Sequence, residues 1–89
     1  MIKETVEIQN KLGLHARASA RLVKAASKYA CKIEVEYDEK IANAKSIMGI
    51  MMLAAGRGCT ITLRTDGEDE TEAMTAIKSL IENRFGETE

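Results

Sequence analysis

The chain has 89 residues, enough for one domain with a single hydrophobic core and too few for a second. Thirteen Lys and Arg against fourteen Asp and Glu give a net charge of −1, and there are two Tyr, one Phe and no Trp. The chain therefore has neither the basic field nor the stacking surfaces typical of nucleic-acid-binding proteins.

Composition also argues against metal and membrane functions. Cys31 and Cys59 lie far apart in the sequence and form no C-x-x-C motif, and the chain has only one histidine, so it lacks the usual set of zinc ligands. We therefore expect both cysteines to be reduced residues that pack against their neighbours, and we expect no metal site. The chain shows no signal-peptide pattern at its start and no run of about eighteen apolar residues that could span a membrane. The sequence predicts a cytoplasmic protein with no membrane insertion.

The first predicted elements are a strand over about residues 2–8 and a helix over residues 16–29. Val6 and Ile8 alternate with polar neighbours, as in a strand with one buried face, although Glu4 interrupts the pattern. In the helix, the apolar positions recur at helical spacing: Ala18, Leu22, Ala25, Ala26 and Tyr29.

The middle of the chain predicts a hairpin and a short helix. Apolar and charged side chains alternate over residues 32–37, and the polar pair Asp38-Glu39 marks a turn into a second short strand at residues 40–42. Ser46 then precedes the apolar stretch 47–53, which we interpret as a small helix.

The last part predicts a strand and a helix. Residues 60–65 alternate with β-branched side chains and end at Asp66-Gly67, a strong turn signal. Asp69 with Glu72 three residues later fits a capping box. The helix then has the apolar stripe Ala73, Ile77, Leu80 and Ile81. Residues 86–89, which begin with a helix-terminating glycine, are expected to form a disordered arm.

The predicted order is β-α-β-β-α-β-α in a single domain over residues 1–89. The strands have one polar face, and each of the three helices has one apolar face. This combination predicts a two-layer α+β fold with all helices on the same side of the sheet.

The only histidine, His15, stands where a turn gives way to the first predicted helix, in the run Gly13-Leu14-His15-Ala16-Arg17-Ala18-Ser19. A helix start presents unpaired N–H groups and the positive end of the macrodipole, so the backbone of Ala16, Arg17 and Ala18 can bind a phosphoryl group. The same positive end disfavours imidazolium and keeps a nitrogen lone pair available. The Arg17 guanidinium can bind two phosphate oxygens at once.

The residues themselves leave three functions open. One is a carrier that accepts a phosphoryl group on His15 from one protein and passes it to another. The second is a regulatory binding module that docks through Met48 and Met51 while His15 is inert. The third is an enzyme, which the absence of a second histidine, of a G-x-x-x-x-G-K-[ST] loop and of paired carboxylates disfavours. We expect no cofactor.

Residues 10–19, together with Lys45-Ser46-Ile47-Met48-Gly49, closely resemble the HPr family. This family comprises the histidine-containing phosphocarriers of the phosphoenolpyruvate-dependent phosphotransferase system, and the resemblance covers almost the whole chain. It implies an open-faced β-sandwich, in which three helices cover one face of a four-stranded antiparallel sheet.

The resemblance also implies roles for single residues. His15 would accept a phosphoryl group at Nδ1 from enzyme I, charged by phosphoenolpyruvate, and pass it to an enzyme IIA domain, while Arg17 steadies the phosphate. Ser46 resembles the regulatory serine that HPr kinase/phosphorylase modifies, a role compatible with a helix N-cap worth about 1 kcal/mol. The chain would then be a stoichiometric carrier and not an enzyme, and a monomer.

The short helix is also the centre of a predicted partner interface. Its apolar side chains cannot all turn inward, and we assign Ile50 and Leu53 to the core. The predicted interface consists of Leu14, Ala20, Arg21, Lys24, Ile47, Met48 and Met51. The sequences of residues 52–58 and 83–86 resemble those of proteobacterial members of the family, including members of a nitrogen-related regulatory branch. Two physiological roles, sugar uptake and nitrogen-type regulation, therefore stay open.

Overall fold

The computed structural model describes residues 1–88. The strands are β1 (Ile2–Glu7), β2 (Lys32–Tyr37), β3 (Lys40–Asn43) and β4 (Thr60–Asp66). The helices are α1 (Ala16–Ala26), α2 (Ile47–Met52) and α3 (Glu70–Glu82). The order along the chain is the predicted one. None of the helices within residues 1–88 combines the length and apolar character that crossing a membrane requires.

The strands form one antiparallel sheet in the spatial order β1-β4-β2-β3. Strand β1 pairs with β4 from Ile2 opposite Thr65 to Glu7 opposite Thr60. Strands β2 and β3 are joined by Asp38 and Glu39, both with positive φ (52° and 66°). Positive φ at both turn residues matches the right-handed twist of paired strands, which explains the tight hairpin.

All three helices lie on one face of the sheet, which confirms the predicted open-faced sandwich. The buried strand side chains alternate along β2 and β4: Ile33, Val35, Ile61, Leu63 and Thr65. On the opposite, solvent-facing side of the sheet, the Arg64 guanidinium forms an ion pair with the Glu36 carboxylate of the neighbouring strand. Glu4, which interrupts the pattern of β1, lies 2.7 Å from Nζ of Lys78 in α3, so its charge is paired beside the core.

Helix α1 ends at Ala26, three residues before the predicted end at Tyr29. The last turn tightens, since the Tyr29 N–H donates to the carbonyl of Ala26 at 3.1 Å. Lys45 Nζ then donates to the carbonyls of Tyr29 (2.7 Å) and Cys31 (2.9 Å). These bonds satisfy two carbonyls of the loop that follows α1.

The predicted capping box of α3 is wrong. Asp69 does hold the N-cap position, but its side chain makes no bond to the start of the helix. Its carboxylate instead accepts the backbone N–H groups of Ala30 (2.8 Å) and Cys31 (2.9 Å), just before β2. Glu70 accepts the N–H of Gly67 at 3.1 Å. Asp69 thus connects the start of α3 to the segment before β2, because the fold places the N–H groups of Ala30 and Cys31 next to its carboxylate.

The predicted disordered arm is also wrong for the part that the structure describes, and Glu89 lies outside the described residues. After α3 the chain forms a turn at Arg84–Gly86, in which three successive residues have φ of 58°, 55° and 80°. Phe85 is buried in the core, and the Arg21 guanidinium donates to its carbonyl. These contacts return the chain end to the start of α1.

Candidate functional site

His15 lies immediately before α1, with an extended backbone (φ −75°, ψ 178°) and a side chain that is 24% exposed. Its carbonyl accepts the Ser19 N–H at 2.8 Å, which begins the helical hydrogen bonds. Its ring forms no cap bond to the helix. The backbone N–H groups of Ala16, Arg17 and Ala18 consequently have no acceptor within α1, and N–H groups of this kind at a helix start favour anions.

The loop before His15 is fixed by a close approach at Gly13. This residue has φ of +62°, and a Cβ atom there would lie 2.6 Å from the carbonyl oxygen of Ala55 and from Cα of Gly56. The next residue, Leu14, donates its N–H to the same Ala55 carbonyl at 3.0 Å. Glycine is therefore required for the loop to deliver His15 to the helix start.

Asn10 is a fully buried polar residue that sequence reasoning missed. Its Nδ2 donates to the Gly13 carbonyl at 2.8 Å and to Oε1 of Glu87 at 3.2 Å. Asn10 thereby joins the His15 loop to the end of the chain. A polar residue in a short turn gives no signal of burial on its own, so only the assembled fold identifies it.

Glu87, also missed, contacts His15 directly. Its Oε2 lies 2.7 Å from Nε2 of the imidazole, and the carboxylate is only 13% exposed. Burial raises the pKa of the Glu87 carboxyl, but hydrogen bonds from His15 and Asn10 and the positive charge of Arg21 outweigh it and leave the pKa below its usual value. Within residues 1–88, Nδ1 of His15 makes no hydrogen bond.

An open depression of about 720 Å³ surrounds the imidazole. Its lining consists of Lys11, Leu12, His15, Ala16, Arg17, Arg21, Gly86, Glu87 and Thr88. Arg17 is exposed and makes no side-chain hydrogen bond or ion pair to any described residue. The depression thus combines helix-start N–H groups with cationic side chains, an arrangement suited to a small dianion.

Ser46 is the N-cap of α2, and its Oγ accepts the Gly49 N–H at 3.2 Å. Apolar side chains beside it are exposed: Ile47 (42%), Met48 (68%), Met51 (38%) and Met52 (71%). Ile50 and Leu53 are buried, as predicted.

The remaining interface candidates divide into exposed and buried residues. Ala20, Arg21 and Lys24 are exposed on α1. Leu14 does not belong to the surface, because only 5% of it is exposed and its apolar side chain packs in the core. Leu12, which is not among the predicted interface residues, is 67% exposed beside the imidazole depression.

Comparison with known proteins relates the whole chain to one family. The family model described as "PTS HPr component phosphorylation site" matches residues 2–83. Phosphocarrier protein HPr of Cupriavidus necator is 54% identical over 89 residues, which is 100% of each chain.

Solved structures agree with this relationship. A crystal structure of HPr from Thermoanaerobacter tengcongensis is 50% identical, with a TM-score of 0.96 and 100% of both chains covered. A structure described as an HPr dimer from the same organism is 52% identical, with a TM-score of 0.78, and covers 98% of this chain and 100% of that one.

Proposed function

The chain belongs to the HPr family of the phosphotransferase system, and from that premise we propose that His15 carries a phosphoryl group between two proteins. Its donor is enzyme I, charged by phosphoenolpyruvate, and its acceptor is an enzyme IIA domain, all in the cytoplasm. The observation that carries the proposal is a partly exposed imidazole at a helix start whose first N–H groups have no helical acceptor.

The transfer is a simple substitution at phosphorus. The Nδ1 lone pair of His15 forms a bond to phosphorus as the bond from phosphorus to the donor atom of enzyme I breaks, and the donor atom keeps that electron pair. Charge spreads over the three equatorial oxygens, which the N–H groups of residues 16–18 and the Arg17 guanidinium stabilise. In the second transfer, the acceptor attacks the same phosphorus atom and the bond from Nδ1 to phosphorus breaks. The chain is consumed and regenerated once per phosphoryl group, so we propose that it is a stoichiometric carrier and not an enzyme.

We further propose that Ser46 is a regulatory phosphorylation site for HPr kinase/phosphorylase. A phosphate on its Oγ adds nearly two negative charges at the start of α2, where the helix dipole tolerates them. The charges would lie beside the exposed Ile47, Met48 and Met51, the surface on which we expect enzyme I and the IIA domain to dock. Modification would therefore weaken docking and leave the fold intact.

Exposed residues of α1 complete the proposed docking surface. Ala20, Arg21 and Lys24 lie on the helix that begins at His15, so a partner that reaches the imidazole can also contact them. We propose that the chain presents this surface as a monomer. Light scattering at several protein concentrations would detect a dimer like the one described for the Thermoanaerobacter relative.

The first test incubates the chain with enzyme I and labelled phosphoenolpyruvate. Wild type should take up one acid-labile phosphate, and His15→Ala should take up none, because the chain has no other histidine. Glu68→Gln, a change at an exposed carboxylate, is the control and should be labelled like wild type. A wild-type chain that stays unlabelled would contradict the proposal.

The same assay separates the open alternatives. If the chain were a regulatory module with an inert histidine, the His15→Ala variant would bind the target as tightly as wild type does. Such a module would accept phosphate only at Ser46. Offering the phosphorylated chain to sugar-specific and to nitrogen-type IIA domains would then identify the branch, since the true acceptor discharges the label fastest.

A further inference from the structure

Glu87, near the C-terminal end, and His15, just before α1, form a hydrogen-bonded pair. The two residues are 72 positions apart, yet Nε2 and Oε2 lie within 2.7 Å. The second carboxylate oxygen, Oε1, accepts from Nδ2 of Asn10 at 3.2 Å. Both oxygens thus have defined donors in a part of the site that is mostly shielded from water.

The chain reaches this position at a conformational cost. Arg84 and Phe85 both adopt positive φ, a backbone conformation that is strained for residues other than glycine. Burial of the Phe85 ring and the bond from Arg21 to its carbonyl offset that cost. The carboxylate is therefore held in place by packing and is not a freely moving tail group.

We propose that Glu87 is a positioning residue for phosphoryl transfer, which keeps the proton of the neutral imidazole on Nε2 and the lone pair on Nδ1. An ionised carboxylate can only accept hydrogen bonds, so the nitrogen that contacts it must carry the proton. This inference rests on the proposed function of His15. It identifies Glu87 as the residue that makes Nδ1 the reacting nitrogen.

Glu87 also balances the charge that transfer creates. When the Nδ1 lone pair bonds to phosphorus, the ring keeps its Nε2 proton and gains a positive charge, while the donor atom leaves with the electron pair of its bond to phosphorus. The carboxylate at Nε2 faces that new charge directly. Its stabilisation is therefore larger after transfer begins than before it.

Glu87→Gln gives a sharp test, because Asn10 fixes the orientation of the new amide. Asn10 Nδ2 also donates to the Gly13 carbonyl, so it stays a donor and selects the Gln oxygen. The Gln NH₂ group then faces Nε2 and requires a lone pair there. The isosteric variant should therefore move the imidazole proton to Nδ1, the nitrogen that has to react.

The tautomer can be read from ¹⁵N NMR spectra of the imidazole at a pH where the ring is neutral, without overlap, since the chain has one histidine. We expect the Nε2–H form in wild type, a mixture in Glu87→Ala and the Nδ1–H form in Glu87→Gln. Glu68→Gln removes an exposed carboxylate and should match wild type. The Nε2–H form in all variants would overturn the proposal.

Phosphorylation by phosphoramidate then tests reactivity without a partner protein. Here the Nδ1–P bond forms as the P–N bond of the reagent breaks, and ammonia leaves after taking a proton from water. We expect the rate to fall roughly tenfold in Glu87→Ala and at least about a hundredfold in Glu87→Gln, as for other imidazoles held in the wrong tautomer. A rate in Glu87→Gln within about twofold of wild type would overturn the proposal.

The two proposals fail differently. If enzyme I does not label wild type but phosphoramidate reacts in the order wild type, Glu87→Ala, Glu87→Gln, the carrier function fails and the role of Glu87 holds. If enzyme I labels all variants equally fast, the carrier function holds and the role of Glu87 fails.

Discussion

His15 occupies a helix N-cap without using its side chain as a cap. N-cap side chains usually accept an N–H group of the first turn, which would consume one of the donors at the helix start. The ring of His15 contacts Glu87 instead, and the backbone bond from Ser19 to the His15 carbonyl is enough to begin α1. The proposed phosphoacceptor and its anion-binding N–H groups therefore coexist at one helix end.

Arg17→Glu should slow phosphoryl transfer severely while stability stays nearly constant. Arg17 is exposed and makes no side-chain hydrogen bond or ion pair to the described residues, so we expect its replacement to leave the core packing unchanged. We expect the transfer rate from enzyme I to fall at least about a hundredfold and the free energy of unfolding to change by less than about 0.5 kcal/mol. Stopped-flow transfer and urea unfolding measure the two quantities, and a large stability loss with normal transfer would contradict the role.

Gly13→Ala should destabilise the fold through the loop that precedes His15. Alanine at φ +62° is strained, and its Cβ would lie 2.6 Å from backbone atoms of Ala55 and Gly56. We expect a loss of about 2 kcal/mol in the free energy of unfolding, measured by urea denaturation. Gly56→Ala is the matched control, because a Cβ there meets no atom within 4 Å. Equal effects of the two substitutions would contradict the steric argument.

Ser46 combines a structural role at the start of α2 with a proposed regulatory role, and two substitutions separate them. Ser46→Ala removes the bond from the Gly49 N–H and should lower stability by about 1 kcal/mol. Ser46→Asp keeps an acceptor and places a negative charge at the helix start, so stability should be retained while affinity for enzyme I falls. Calorimetric unfolding and titration with enzyme I test both outcomes, and unchanged affinity in Ser46→Asp would argue against regulation at this site.

Sequence periodicity predicts the elements of this fold well because each has one buried face. The alternation in β2 and β4 and the spacing in α1 and α3 follow directly from contact with one core. Element ends are predicted less well. Helix α1 ends in a tighter turn in which the Tyr29 N–H donates to the Ala26 carbonyl, a change that apolar spacing does not show. The carboxylate of Asp69 binds backbone donors before β2 that tertiary structure brings to the start of α3.

The candidate site shows the same division. His15, the neighbouring N–H groups and Arg17 are local in sequence, so a motif at a helix start is sufficient to propose them. Asn10 and Glu87 could not be proposed in that way. Their roles arise only when the loop and the chain end meet, and hydrogen bonds between residues 77 positions apart leave no periodic signal.

The C-terminal segment of the chain is a structural part of the site. The turn at Arg84–Gly86 packs against α1 through Phe85 and Arg21 and delivers Glu87 to the imidazole. The other end lies in β1, an edge strand that Lys78 of α3 ties down through Glu4. Changes at Glu87 should consequently alter chemistry at His15 without changing the sheet.

Asp69 should make the stability of the whole domain depend on pH. Its carboxylate joins the start of α3 to the chain before β2, and the N–H of Ala30, with that of Cys31, outweighs desolvation and lowers its pKa. A carboxyl whose pKa is lower in the folded state stabilises the fold above its unfolded pKa, near 4, and loses that contribution as the pH falls through the folded value.

Asp69→Asn removes this contribution, so the stability difference from wild type should be largest near neutral pH and should shrink steadily below about pH 4. Urea unfolding of both proteins between about pH 7 and pH 2 measures the difference. The exposed Glu68→Gln is the control and should follow wild type throughout. A difference that grows on acidification would have the opposite sign and would show that Asp69 does not stabilise the domain as an ionised acceptor between α3 and β2.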